Sequence, residues 1–189
     1  FGITHDSEGD PSREMSFLHA SAPALMGPWS DEGDALHSQP PEESLWAPFV
    51  LPTGAGRWSM FYYGNTPDHR VLRAESADLH RWERSASSAP GGRDPFLLRV
   101  GALWYLYSVG ADEHREIGQI VVSQSRDLQR WTMPTVALTD PVATFGWGNL
   151  ESPVVVPRGE EFYLFVTRTS DSPHDYARTM VFASTDPTR

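Results

Sequence analysis

Three times the chain repeats one phrase: a Pro-headed apolar strand, an aromatic strand, then a Ser-containing strand that in the first two copies closes on a Trp. The first copy runs through Trp46-Ala47-Pro48-Phe49-Val50, Trp58-Ser59-Met60-Phe61-Tyr62-Tyr63 and Ser76-Ala77-Asp78-Leu79-His80-Arg81-Trp82. The second runs through Arg93-Asp94-Pro95-Phe96-Leu97-Leu98, Trp104-Tyr105-Leu106-Tyr107-Ser108 and Ser125-Arg126-Asp127-Leu128-Gln129-Arg130-Trp131. The third has Glu151-Ser152-Pro153-Val154-Val155-Val156, Phe162-Tyr163-Leu164-Phe165-Val166 and Ser184-Thr185-Asp186. A unit this small cannot bury its apolar faces alone and must stack on its neighbours, so the period predicts blades of a β-propeller or an array.

Spacing sorts strands from loops. Pro48 to Pro95 is 47 residues and Pro95 to Pro153 is 58, whereas Pro to Ser within a copy is 28, 30 and 31. Distances inside a copy hold while the joins vary, which places the insertions in loops. The predicted blades run over about 1–40 (incomplete), 44–90, 91–145 and 148–189, within a single all-β domain of about three and a half four-stranded blades. Met15-Ser16-Phe17-Leu18-His19-Ala20-Ser21, followed by Trp29, matches the third-strand phrase of the opening blade, with Ser to Trp stretched from six residues to eight. Residues 30–45 read as an outer strand plus loop. No stretch carries helical periodicity.

Each Pro heads its strand, where a missing N–H removes no ladder bond and the preceding residue is pushed toward extended geometry. That expectation covers Ala47, Asp94 and Ser152. The Asp-Leu-x-Arg-Trp phrases are expected to be turns, with Asp bonding the local backbone and Trp packing between blades.

Composition excludes several functions. Fifteen basic against twenty-five acidic residues give a net charge of −10, which disfavours a phosphate backbone as partner and leaves no basic stripe to track nucleic acid. Without cysteine there is no disulfide, thiolate nucleophile or Cys-ligated zinc. No apolar run approaches the roughly 18 residues of a membrane span. The seven His show no metal-ligand spacing, His174 with Asp175 reads as surface, and no cofactor or metal is implied. Localisation and oligomeric state are left open.

Inner strands line a propeller's channel, so polar residues at their starting ends point into one shared pocket. Asp94 and Glu151 qualify, 57 residues apart yet at nearly equivalent places in successive blades. Two carboxylates facing one cavity are the minimal machinery of glycoside hydrolysis. The same residues admit a structural role, with Asp94 capping a turn and pairing with Arg93, and Glu151 solvated in a loop. Trp46 and Trp147 flank strand starts and can stack on a sugar ring or fill core.

The Trp-Ala-Pro, Arg-Asp-Pro and Glu-Ser-Pro phrases, each followed by a Gly-containing turn and a Tyr/Phe-rich strand, resemble the five-bladed β-propeller glycosidases of glycoside hydrolase families 43 and 32. The resemblance covers nearly the whole chain. It implies an O-glycosidase acting on arabino-, xylo- or fructo-oligosaccharides or polysaccharides, with Glu151 as general acid and Asp94 tuning that acid, positioning substrate or stabilising the transition state. It further implies Arg93, Trp46 and Trp147 as substrate-binding residues. Phe49 departs from the acid that family 43 often carries after Trp-Ala-Pro. The third carboxylate, a base or nucleophile on the inner strand of blade one, is expected upstream of Phe1, since Asp6 and Asp10 follow the aromatic strand. The chain thus reads as a fragment, and one that does not turn over by itself. Two alternatives remain. One is a glycoside phosphorylase on the same scaffold, for which Arg93 and Arg168 are the available phosphate ligands; the other is a non-catalytic sugar-binding or interaction propeller.

Overall fold

The computed structural model describes residues 2–3, 14–112, 114, 116–143, 149–169 and 178–189. Among them there is no helix, and every strand pairs antiparallel. Four meandering sheets follow one another along the chain. The first contains β1 (Gly2–Ile3), β2 (Ser16–Ser21) and β3 (Ser30–His37); the second contains β4 (Trp46–Gly54), β5 (Arg57–Tyr63), β6 (Val71–Ser76) and β7 (Glu83–Arg84). The third is built of β8 (Arg93–Val100), β9 (Leu103–Asp112), β10 (Ile117–Ser125) and β11 (Thr135–Thr139); the fourth of β12 (Leu150–Arg158), β13 (Glu161–Arg168) and β14 (Arg178–Ser184). By contacts the chain forms two compact units, Phe1–Ser88 and Ala89–Arg189.

Each unit has its own core. In the first, Phe17, Leu36, Leu45, Met60, Tyr62 and Ala74 are buried together, with Phe17 edge-on to Tyr62 at 5.6 Å between ring centroids. In the second, Tyr105, Tyr107, Val109, Ile120, Val122, Leu150, Val155 and Val166 form the core between the third and fourth sheets. The second strands β5 and β9 are buried on both faces over most of their length, so they read as continuous aromatic runs rather than alternating ones. Tight hairpins return β8 to β9 at Gly101 and β12 to β13 at Gly159, whose φ of +59° and +62° suit a residue without Cβ.

The recurring turns form as their residues dictate. Ser76 Oγ accepts from Leu79 N at 2.8 Å, and Asp78 Oδ1 accepts from His80 N and Arg81 N at 2.9 and 2.8 Å. Ser125 and Asp127 repeat that pattern with Leu128, Gln129 and Arg130. The third copy keeps its opening, with Ser184 Oγ accepting from Asp186 N and Asp186 Oδ1 from Thr188 N. Trp82 donates its indole N–H to Leu79 O and packs on the core shared by the first two sheets. Backbone donors hold the Asp78 and Asp127 carboxyls below their ordinary range, and the Thr188 hydroxyl, then its amide and Arg189, hold Asp186 at about 2.

One expectation is overturned. Ala47, Asp94 and Ser152 are not extended: their φ values are +50°, +57° and +51°. At all three places the ladder skips, pairing Trp46 with Tyr63 and then Phe49 with Phe61, Arg93 with Val109 and then Phe96 with Tyr107, Glu151 with Thr167 and then Val154 with Phe165. Between these pairs two residues oppose one, so each inner strand carries a β-bulge. Proline sits inside it because it has no N–H to lose from the interrupted ladder. The residue before it takes the left-handed conformation at a cost of about 1–2 kcal/mol, held there by the strands on either side.

Candidate active site

The bulges set the register of the candidate site. They make Trp46, Arg93 and Glu151 structural equivalents, and Ala47, Asp94 and Ser152 the next set, so the two carboxylates are offset by one residue rather than alike. The offset brings them together. Within the second unit β8 and β12 lie side by side, and Arg93 reaches across: Nη2 donates to Leu150 O at 2.8 Å, while Nη1 donates to Asp94 Oδ2 at 3.2 Å and to Glu151 Oε1 at 3.3 Å. Both oxygens contact one nitrogen, so they stand no more than about 6.5 Å apart. The Ser152 amide closes the arrangement by donating to Asp94 Oδ2 at 2.9 Å.

Thr169 N donates to Asn149 O at 3.0 Å, so Asn149 and then Glu151 face the ladder with β13, and the Ser152 N–H points off that ladder to Asp94. The side chains of Arg93, Asp94 and Glu151 keep 14%, 11% and 18% of their surface, which leaves all three reachable but mostly desolvated. With both carboxylates ionised the cluster carries one excess negative charge, in surroundings that screen it less than water does. It would attract a developing cation and repel an anion.

Of the other residues singled out, Trp46 lies in the first unit, with its ring 5.6 Å from that of Tyr63. Among the described residues its buried indole nitrogen finds no hydrogen-bond partner, nor does Ser44 Oγ two residues earlier. Trp147, His174 and Asp175 lie outside the described residues, as do Asp6 and Asp10. Arg168 is paired: its Nε donates to Asp140 Oδ2 at 2.6 Å, and that carboxylate is buried, with 3% of its side chain exposed. Among the described residues no group of three His, Cys, Asp or Glu stands close enough to hold a metal ion.

A second polar cluster, in the first unit, leaves no signal along the chain. Glu42, with 4% of its side chain exposed, accepts from Tyr62 OH at 2.7 Å, from Arg84 Nε at 2.8 Å and from Gln39 N at 3.0 Å. Burial, and then the Glu42 charge, push the Tyr62 phenol far above its ordinary range. Partners 20 and 42 residues apart on unlike elements follow no period that a reading of the chain could detect.

No family model matches the sequence, and no curated protein matches it. Solved structures do. A thermostable family-43 glycoside hydrolase superposes with a TM-score of 0.72 at 20% identity, over 93% of this chain and 63% of that one. The Bombyx mori GH32 β-fructofuranosidase gives 0.69 at 17% identity, over 85% of this chain and 36% of the other. An exo-β-1,3-galactanase from Clostridium thermocellum gives 0.69 at 15% identity, over 98% and 42%. This chain therefore has the β-propeller fold of the five-bladed glycosidases of families 43 and 32, and spans between about a third and two thirds of the length of these structures.

Proposed function

We propose that the chain is part of a glycoside hydrolase and that Glu151 is its general acid. One observation carries this reading: a single guanidinium nitrogen joins Glu151 to Asp94, so two mostly desolvated carboxylates stand within about 6.5 Å of each other. Glu151 delivers a proton to the departing glycosidic oxygen as the bond to the anomeric carbon breaks. Water then supplies hydroxide to that carbon, directly or through a covalent intermediate, and a third carboxylate outside the described residues acts as base or nucleophile. Asp94, anchored by the Ser152 amide, holds negative charge near the oxocarbenium-like centre. Arg93 fixes the spacing of the two carboxylates. We assign its contact with Glu151, at 3.3 Å, as the one exchanged for a sugar hydroxyl when substrate binds.

The substrate class follows from the structures of like fold, whose names cite fructofuranoside, galactan, arabinan and xylotriose, so the proposed substrate is a neutral oligosaccharide or polysaccharide. A phosphorylase fits less well. Both guanidinium groups it would use are engaged, Arg93 by two carboxylates and Arg168 by Asp140. The test is Glu151→Gln. Hydrolysis of ordinary glycosides should fall by about 10²–10⁴-fold, while glycosides with strongly acidic leaving groups, which need no proton, keep most of their rate. An equal loss on both substrates would remove Glu151 from the acid role. Sugar binding that persists in a parent protein with no hydrolysis would favour the binding-module reading.

A further inference from the structure

The opening blade departs from the repeat at one point, and the departure is apolar and exposed. Ser76 to Trp82 and Ser125 to Trp131 are turns of fixed length, closed by Asp78 and Asp127. Trp82 tucks back onto its own turn. The equivalent stretch from Ser21 to Trp29 is two residues longer, has no Asp, and runs Leu25-Met26-Gly27-Pro28-Trp29 between β2 and β3. Leu25 is 87% exposed, Met26 92% and Trp29 61%. The two other copies carry a Leu and a Trp in the same connection, but there Leu128 is buried and Leu79, Trp82 and Trp131 are half-buried, so it is the exposure of the apolar residues that sets this turn apart. Insertions that break a repeat locate on loops and often carry its binding face.

The turn holds its indole in place. Gly27 has φ +85°, and a Cβ there would stand 3.0 Å from Trp29 Cδ1 and 3.1 Å from Trp29 N, so the indole rests against bare backbone that no other residue could offer. Directly after it β3 supplies the exposed carboxylates of Asp31 and Glu32, each with one oxygen bonded locally, to Gly33 N at 2.8 Å and to Ser21 Oγ at 2.5 Å, and each with a second oxygen. A flat aromatic surface beside hydrogen-bond acceptors complements the C–H face and hydroxyl rim of a sugar. The same carboxylates, on a chain of net charge −10, oppose an anionic lipid surface or nucleic acid.

We infer that the 22–29 turn is a second carbohydrate-binding surface, on which Trp29 stacks against a neutral polysaccharide chain and Asp31 and Glu32 accept from its hydroxyls. This rests on reading the chain as carbohydrate-active, and the two can fail separately. In native gels cast with soluble arabinan, xylan or inulin, the full chain should be retarded by at least one of them. Trp29→Ala should weaken that retardation by about tenfold or more, and Trp29→Phe, which keeps a ring, should recover part of it. Retardation of Trp29→Ala equal to the parent, no retardation of the parent by any of the three polymers, or Trp29-dependent binding to phosphatidylcholine vesicles in place of them would overturn the inference. Hydrolysis that survives Glu151→Gln would count against the proposed acid and leave this surface standing.

Discussion

Removing Arg93 should reverse the sign of what Glu151 does for stability. With Nη1 at 3.2 Å from Asp94 and 3.3 Å from Glu151, Coulomb's law at an effective dielectric of 20 gives each attraction as about 5 kcal/mol. With the carboxylates no more than about 6.5 Å apart, their repulsion is at least about 2.6 kcal/mol by the same relation. Glu151→Gln in the parent removes one attraction and the repulsion together, a net loss of at most about 2 kcal/mol before solvent screening and about 1 kcal/mol after it, since 11–18% of these side chains remain in water. After Arg93→Met the attraction is already gone. Glu151→Gln then removes only repulsion and should restore about 1–2 kcal/mol. Arg93→Met alone should cost about 2–4 kcal/mol, because it removes the guanidinium that the two neighbouring carboxylates share. The assay is urea unfolding by far-UV circular dichroism at about pH 8, well above the ordinary carboxylate range, on the parent, both single variants and the double variant. If Glu151→Gln shifts stability in the same direction with and without Arg93, the guanidinium is not the link between the two carboxylates.

Ser152→Gly should keep the amide bond to Asp94 and relieve the positive φ, for a gain of about 0.5–1 kcal/mol once glycine's chain entropy is counted, whereas Ser152→Val should cost at least about 1–2 kcal/mol. Thermal melting of the two variants checks the order, and a tolerated Val would mean that the bulge carries no strain. The lowered carboxyls predict an acid transition of definite sign. Asp78, Asp127 and Asp186 contribute stability that is complete above the unfolded value of 3.8 and is lost as pH falls through their folded values, for Asp186 between 3.8 and about 2. Asp127→Asn should therefore be less stable than the parent at neutral pH and converge with it in strong acid. A gap that stays constant across that range would show that its charge is not what the Gln129 and Arg130 amides hold.

The all-β meander is local information, and the residues carry it openly. Strands recur at a steady Pro-to-Ser interval, Ser and Asp at fixed offsets bond their own turns, and glycines mark the hairpins. Such features depend on neighbours a few residues away, so a single chain displays them. The bulge is half legible. Proline announces that the ladder is broken at Pro48, Pro95 and Pro153, but the rule for the residue before proline points to extended geometry, and the packed strands impose a positive φ at Ala47, Asp94 and Ser152. The one-residue offset is legible, since Asp94 stands one residue before Pro95 and Glu151 two before Pro153, which makes Arg93 the counterpart of Glu151. What the chain does not announce is that Arg93 meets Glu151, and the Ser152 amide meets Asp94, across the two strands. The pairs made over distance were decided by tertiary structure: Arg93 with Glu151 across 58 residues, Arg84 with Glu42 across 42, Arg168 with Asp140 across 28. A charge on a strand face is compatible with many partners. Which one it meets depends on how neighbouring sheets bring their strand ends together, and periodicity along the chain does not encode that.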